Sequence, residues 1–343
     1  MHVRGPILSR LLMDTLLHTR YSTNMDPEQL PRCSPGSRVA LVTGANGGLG
    51  YYLTLHLYLH GWKVYMACRN AEKASKAQNE IMLEAKERIK RTSQSDGSLG
   101  VLEQLHIDNS DLNSVDEAAR LFLGQEQRLD LLVNNAGVMA LPSQITKDGY
   151  DIQIQVSFIS HYLLTRRLLP LITSTPASRV VFVSSIGHYF ALPPVNLSKP
   201  YNYFPNILWT WVRYGNAKTA NIHTALVLSK LYPNVLSLSV HPGFSLLTGL
   251  LQYWIQFPVL GILFKIFFQL FTALFGVSAE HLAYAVIRAS LDPSLSPDSD
   301  NGSYLVTYGK KSRPSRLAGN YERAQRTWLW AEQQLQSKGF QLD

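Results

Sequence analysis

Three side chains have the types needed to move a hydride onto or off a carbinol carbon: Ser185, Tyr214 and Lys218. That chemistry needs one group to exchange the hydroxyl proton and another to stabilise charge developing on the oxygen. A tyrosine with an ordinary pKa of roughly 10 is a poor base at neutral pH unless a cation stands nearby. Tyr214 and Lys218 are four apart in a segment that reads as helix, so they share one face and the lysine can stabilise the tyrosinate. Ser185 closes the β-branched run SRVVFVSS, where its hydroxyl would donate to a substrate oxygen. A bare Y-x-x-x-K is frequent by chance. Its weight here comes from following NNAG (134–137) and VSS in order.

Positioning such groups requires a scaffold, and the chain upstream supplies one. RVALVTG is a short β run ending in glycine, and GLGYYLTLHLYLHG continues it as a helical pattern that Gly61 can cap. Between them, TGANGGLG gives a tight turn at a helix N-terminus, where a pyrophosphate can approach backbone amides without a Cβ in the way. Gly44, Gly48 and Gly50 are the positions expected to do this, with Asn46 and Leu49 in the same turn. Strand and helix patterns then alternate through KVYMACR, VLEQLHID, LDLLVNNAG, SRVVFVSS, VLSLSVHPG and GSYLVTYG. This alternation predicts an α/β, Rossmann-type doubly wound fold: a mainly parallel seven-stranded sheet with helices on both faces. The expected limits are an N-terminal extension over 1–37, one dinucleotide-binding domain over 38–310 and a C-terminal amphipathic helix within 311–343.

TGANGGLG, NNAG, Tyr214-x-x-x-Lys218 and the HPG at 241–243 together resemble the short-chain dehydrogenase/reductase family, over nearly the whole domain. More narrowly, ACRNAEKA, DGYDIQIQ, VSSIGH and YGNAKTAN are similar to retinol-dehydrogenase-like members. HLYLHG, NILWTWVRYGNAKTA and the apolar tract before GVSAEH resemble fungal oxidoreductases of lipid droplets. The resemblance implies that Asp108 faces an adenine and that residues of the NNAG run, Asn134, Asn135, Ala136 and Gly137, line the adenosine and nicotinamide side. Pro242 and Gly243 would join them, and Lys218 would reach the nicotinamide ribose. The family's remaining catalytic residue, an asparagine in the long helix after the fourth strand, falls here on Ser157, which lacks the amide and puts the proton relay in doubt. Four positions past the HPG glycine, where the family usually has threonine, stands Leu247, with Thr248 one further.

Cofactor choice follows from the end of the second strand. NAD-selective folds place an acid there for the ribose hydroxyls, whereas this chain has Arg69 and no acid before Glu72. A guanidinium suits a 2′-phosphate, so NADP(H) is expected. The long aromatic loop FALPPVNLSKPYNYFPNILWTWVR between Ser185 and Tyr214 reads as a lid over a lipophilic substrate, or as a surface loop packed on its own rings. His161, His188 and His241 lack metal-ligand spacing with a third donor, so structural roles and no metal are expected.

The composition is 46% hydrophobic and 16% charged, against roughly 25% charged in ordinary soluble domains. Much of this excess lies in residues 244–277, whose one charge is Lys265. The tract is long enough to span a bilayer, but the elements after it belong to the same sheet, and Pro258 and Gly261 break it near its middle. A membrane-associated hairpin dipping into one leaflet is expected, with a buried lid of a soluble oligomer as the alternative. A cytosol-facing lipid-droplet or endoplasmic reticulum surface is the expected location. Residues 1–24, with Arg4, Arg10 and Arg20 among leucines and Asp14 as sole acid, also fit a mitochondrial presequence. The net charge of +8 is scattered and makes no nucleic-acid stripe. Two cysteines, Cys33 and Cys68, make no disulfide scaffold, and a homodimer stays open.

Overall fold

Strand β1 (Val39–Thr43) is buried along its whole length, as a strand covered on both faces must be. Val39 and Leu41 point into one apolar cluster, Ala40 and Val42 into another. Around it lie β2 (Lys63–Cys68), β3 (Val101–His106), β4 (Leu131–Asn134), β5 (Arg179–Val183), β6 (Leu236–Val240), β7 (Tyr304–Val306) and β8 (Lys310–Ser312). Their order is β3-β2-β1-β4-β5-β6-β7-β8, parallel except for the β7–β8 pair. The computed structural model describes residues 26–92, 98–193, 195, 197–199, 201–204, 206–243 and 278–342. The tract at 244–277, Leu247 and Thr248 within it, and the presequence reading of 1–24 fall outside them.

One face is covered by α1 (Gly48–Leu59), α2 (Ala71–Thr92) and α6 (Ala279–Leu291). The other carries α3 (Leu112–Gln125), α4, α5 (Asn206–Leu231) and α7 (Tyr321–Ser337). Helix α4 consists of Ile152–Ile154, one π turn at Gln155–Ile159 and Ser160–Ser174. The C-terminal helix α7 is packed into the fold: Ala324, Trp328, Ala331 and Leu335 join the cluster that holds Phe158 and Tyr162. Its Glu332 accepts from the Tyr162 hydroxyl at 2.7 Å and pairs with Arg166 at 2.7 Å. Among the described residues no helix is long and apolar enough to cross a membrane.

Two expectations need correction. The sheet has eight strands, not seven, because GSYLVTYG does not run through as one strand. Tyr308 (φ 58°) and Gly309 (φ 75°) turn the chain back after Val306, and Lys310–Ser312 then pairs antiparallel with β7. The aromatic loop is also shorter than its composition implies. Helix α5 already begins at Asn206, because Thr210, Arg213 and Ala217 recur at helical spacing and are all buried.

Candidate active site

The strand order reverses beside β1, which opens a crevice between β1 and β4 at their C-terminal ends. Gly44 leaves β1 with φ +66° and Gly48 follows with φ +53°, a region that costs glycine nothing. A Cβ on Gly50 would lie 2.2 Å from the Gly44 carbonyl oxygen, so helix α1 can start this close to the strand only with glycine there. Gly47, the N-cap of α1, offers no side chain to the first-turn amides, which leaves that helix end chemically suited to an anion. Thr43 ties the strand ends together: its Oγ1 accepts from the Asn135 and Ala136 amides at 2.9 Å and contacts His161 Nε2 at 2.9 Å. Asn135 Nδ2 donates to the Thr43 carbonyl at 2.7 Å. These ties make a rigid cradle that fits a dinucleotide. Thr43 was not singled out in the sequence, where it reads as one more β-branched strand residue.

The cradle opens into a cleft of about 920 Å³. Gly44, Asn46, Gly48, Leu49, Gly50, Arg69, Asp108, Asn135, Ala136, Gly137, Ser185, Tyr214, Lys218, Pro242 and Gly243 all line it. Asn134 does not. It is fully buried on the other side of the strand and donates to Thr165 Oγ1 at 2.9 Å, so the first asparagine of NNAG belongs to the core. Asn134 is the last residue of β4, with its side chain directed into the core, whereas Asn135, Ala136 and Gly137 follow the strand end and border the crevice. The Asp108 carboxylate is held by its own turn, accepting from the Ser110 amide at 2.9 Å and hydroxyl at 2.6 Å. Arg69 is exposed at the end of β2.

At the other end of the cleft, Ser185 caps the short helical turn Ile186–Phe190, its Oγ accepting from the Gly187 amide at 3.1 Å. The Tyr214 ring lies so close that a Cβ on Gly187 would approach it to 2.5 Å. Burial pushes the Tyr214 hydroxyl up to about 12, and its hydrogen bond with Ser185 pulls the other way. Lys218 is buried beside it, its Nζ 5.7 Å from the Tyr214 ring centroid and donating to the Val183 carbonyl at 2.8 Å. Burial lowers this lysine to about 8. Its ammonium is therefore aimed at a backbone carbonyl, with the tyrosine as a neighbour.

Ser157 sits in the π turn, fully buried, behind Gly137 and outside the cleft lining. A Cβ on Gly137 would lie 3.4 Å from both Ser157 Oγ and Lys218 Nζ, so these two groups converge on the same glycine. Ser157 Oγ lies 3.4 Å from the Val138 amide and 3.5 Å from its carbonyl oxygen. The wider bore of a π turn marks many functional sites. His161, one turn on, is lowered to about 3 by burial and by Lys218, so it is neutral and structural. His188 is likewise lowered by burial, to about 4, with its Nε2 accepting from the Ser315 amide at 3.0 Å. Among the described residues no three His, Cys, Asp or Glu side chains converge on a metal site.

Val138, Met139, Leu141, Ile152, Val156, Ile186 and Leu282 give the chemical end of the cleft an apolar wall. None of the aromatic segment's described residues from 191 to 213 lines the cleft, and Arg213, one residue before Tyr214, ties the segment to the Leu141 backbone. It donates to the Tyr201 carbonyl at 2.7 Å, the Leu141 carbonyl at 3.1 Å and Asn206 Oδ1 at 2.8 Å, and pairs with Asp151 at 3.1 Å. Burial outweighs that pairing and raises Asp151 to about 6. Tyr201 and Tyr203 pack on Trp209, while Phe204 is 98% exposed. Of the two readings of this segment, the described residues show packing on its own rings. Neither Arg213 nor Asp151 was visible from spacing, because 62 positions separate them.

A dinucleotide cradle at the sheet's reversal point, with serine, tyrosine and lysine gathered at one end, defines an oxidoreductase of the nicotinamide-dependent α/β class. Residues 38–195 match the family model for short chain dehydrogenase. An oxidoreductase of Schizosaccharomyces pombe is 35% identical over 80% of this chain and 78% of its own. The short-chain dehydrogenase/reductase drtF of Aspergillus calidoustus is 33% identical over 91% and 97%. Retinol dehydrogenase 11 of Mus musculus is 34% identical over 61% of each chain. A crystal structure from Mycobacterium paratuberculosis shares the fold, with a TM-score of 0.66 at 24% identity over 91% and 97%. The chain belongs to the short-chain dehydrogenase/reductase family.

Proposed function

We propose that this chain is an NADP(H)-dependent alcohol dehydrogenase or carbonyl reductase for a lipophilic substrate, of retinoid, steroid or fatty-chain type, working at a lipid-droplet or endoplasmic reticulum surface. The observation that carries this reading is one cleft with Arg69 at its far end and Ser185, Tyr214 and Lys218 within apolar walls at the other. A bound nicotinamide dinucleotide supplies or accepts the hydride. The α1 amides and the glycine turn would hold its pyrophosphate, and Arg69 would hold the 2′-phosphate. Ser185 donates a hydrogen bond to the substrate oxygen while Tyr214 gives it a proton in reduction and takes one in oxidation. Lys218 keeps a positive charge beside the developing tyrosinate, and Ser157 takes part in carrying protons from the lysine outward. The likeness to a retinol dehydrogenase agrees with a greasy substrate.

A guanidinium on a phosphate is a charge-assisted contact, so Arg69→Ala is expected to weaken NADPH by about 1.5–3 kcal/mol and leave NADH nearly untouched. Titration of both nucleotides, followed by NADPH oxidation with a panel of long-chain aldehydes, checks the proposal. Equal losses for the two nucleotides would remove Arg69 from the role. The buried Ser157, in place of an asparagine, favours a second reading, a cofactor-binding scaffold of weak catalysis; NADPH binding without oxidation of any aldehyde supports that one instead.

The tract at 244–277 underlies the proposed location. A fluorescent fusion is expected to ring lipid droplets or the endoplasmic reticulum, and to be released by deleting residues 246–275. Diffuse cytosolic signal with the tract intact sinks the membrane reading, and a mitochondrial pattern lost on starting at Met25 replaces it with the presequence reading.

A further inference from the structure

A second cavity, of about 450 Å³, lies at the N-terminal ends of the strands, opposite the cofactor cleft, where β1, β5 and β6 begin. Arg32 and Arg38 reach it from the segment that leads into β1, and Arg179 from the first position of β5. Trp62, Leu291 and Leu295 supply apolar wall, and no Asp or Glu is among the lining residues. Arg179 donates to the carbonyls of Ala289 at 3.1 Å, Asp292 at 2.9 Å and Leu295 at 3.4 Å, which anchor it at the end of α6. Those acceptors are backbone carbonyls, so no carboxylate oxygen is bonded to it, although Asp292 and Asp300 attract it from further off. Burial pushes the Arg179 guanidinium down from its ordinary value against the attraction of Asp292 and Asp300, Arg38 adds to the lowering, and both arginines line the one cavity.

The nearby acids are already engaged. Asp292 accepts from Arg288 at 2.9 Å and from the Ser294 amide at 2.9 Å, while Asp300 pairs with Lys311. Asp130 pairs with Arg128 at 2.6 Å. Finishing α6 explains Arg179 alone. It does not explain Arg38, whose guanidinium lies 5.6 Å over the Trp62 ring, as a cation–π contact at the mouth of the same cavity. Planar guanidinium forks match oxyanions, and a cavity of this size with apolar walls holds a small organic body.

We propose that this cavity binds an amphipathic oxyanion, with its phosphate or carboxylate head between Arg38 and Arg179 and its apolar part against Trp62, Leu291 and Leu295. The site shares no lining residue with the cofactor cleft.

Calorimetry on the full-length chain tests it with decyl phosphate below its micelle concentration and with inorganic phosphate. Saturable binding of decyl phosphate is expected, weaker for inorganic phosphate and falling with salt. Arg38→Glu is expected to weaken it at least about tenfold. Arg38 is exposed, so the thermal midpoint of that variant should match the parent, and Arg38→Gln should fall between the two in affinity. Vesicles of phosphatidylcholine with phosphatidic acid distinguish the source of the ligand. Vesicle binding that drops with Arg38→Glu assigns a lipid headgroup; vesicle binding indifferent to it assigns a soluble amphiphile. No saturable binding of decyl phosphate, or binding that Arg38→Glu leaves unchanged, overturns the proposal.

Discussion

Tyr214→Phe is expected to lower turnover by about 10²–10⁴-fold, the usual range for losing a positioned acid–base group, while nucleotide affinity stays as it was. The ring is 5% exposed, pressed against Gly187 and set edge-on to Trp211 at 6.4 Å, and phenylalanine keeps every one of those apolar contacts. What is lost is the hydroxyl and its bond to Ser185, whose Oγ still accepts from the Gly187 amide. Because burial holds that hydroxyl near about 12, it is protonated throughout the neutral range and stands ready as a donor for carbonyl reduction. Oxidation needs the opposite state, so its rate should climb with pH where reduction does not. Steady-state kinetics with a long-chain aldehyde, beside fluorescence titration of NADPH, measures both quantities. Retention of most activity would move the proton donor elsewhere in the cleft.

How much of this was legible beforehand depends on how local the signal is. The glycine turn could be read because each glycine answers a local demand: Gly44 and Gly48 for positive φ, Gly50 for a carbonyl 2.2 Å from its absent Cβ. Tyr214 and Lys218 could be read because four residues of helix bring them to one face. The mainly parallel sheet and the first seven strands followed from alternation of β and helical patterns, but the strand order and β8 did not. It is three residues long, and it exists because Tyr308 takes a left-handed conformation that sequence does not demand of a tyrosine. The site's support was hidden for a different reason. Thr43, His161 and Asn135 meet from β1, α4 and the turn after β4, and Arg213 in α5 meets Asp151 at the cap of α4, so their partnerships appear only when the sheet is assembled. Ser157 was placed on the right helix from the resemblance, yet its position behind Gly137 depends on the π turn, which shifts residues around the helix axis by an amount no 3.6-residue pattern contains.

Lys218→Met should abolish activity and, in the nucleotide-free protein, raise stability. Lys218 is 4% exposed and burial lowers its pKa from 10.5 to about 8, so the folded state holds this charge at a cost. Methionine fills a similar length of apolar stem and removes the charge. The Val183 carbonyl that Lys218 contacts is not abandoned, since Asn221 Nδ2 also donates to it at 3.3 Å. Below about pH 8 the lysine is charged in both folded and unfolded chains, so the full penalty applies to the parent protein. Between about 8 and 10.5 the unfolded chain binds more protons than the folded one, and parental stability rises with pH relative to the variant. Urea unfolding at pH 7 is therefore expected to favour Lys218→Met by about 1–3 kcal/mol, the scale of a buried charge after relaxation, with the gap closing towards pH 10. In the catalytic role proposed for Lys218 such a charge is tolerated because activity needs it, in the usual exchange of stability for function. Should the variant prove less stable at pH 7, or its advantage stay constant with pH, then Lys218 contributes to the fold through its contacts and the cost assigned to its charge is wrong.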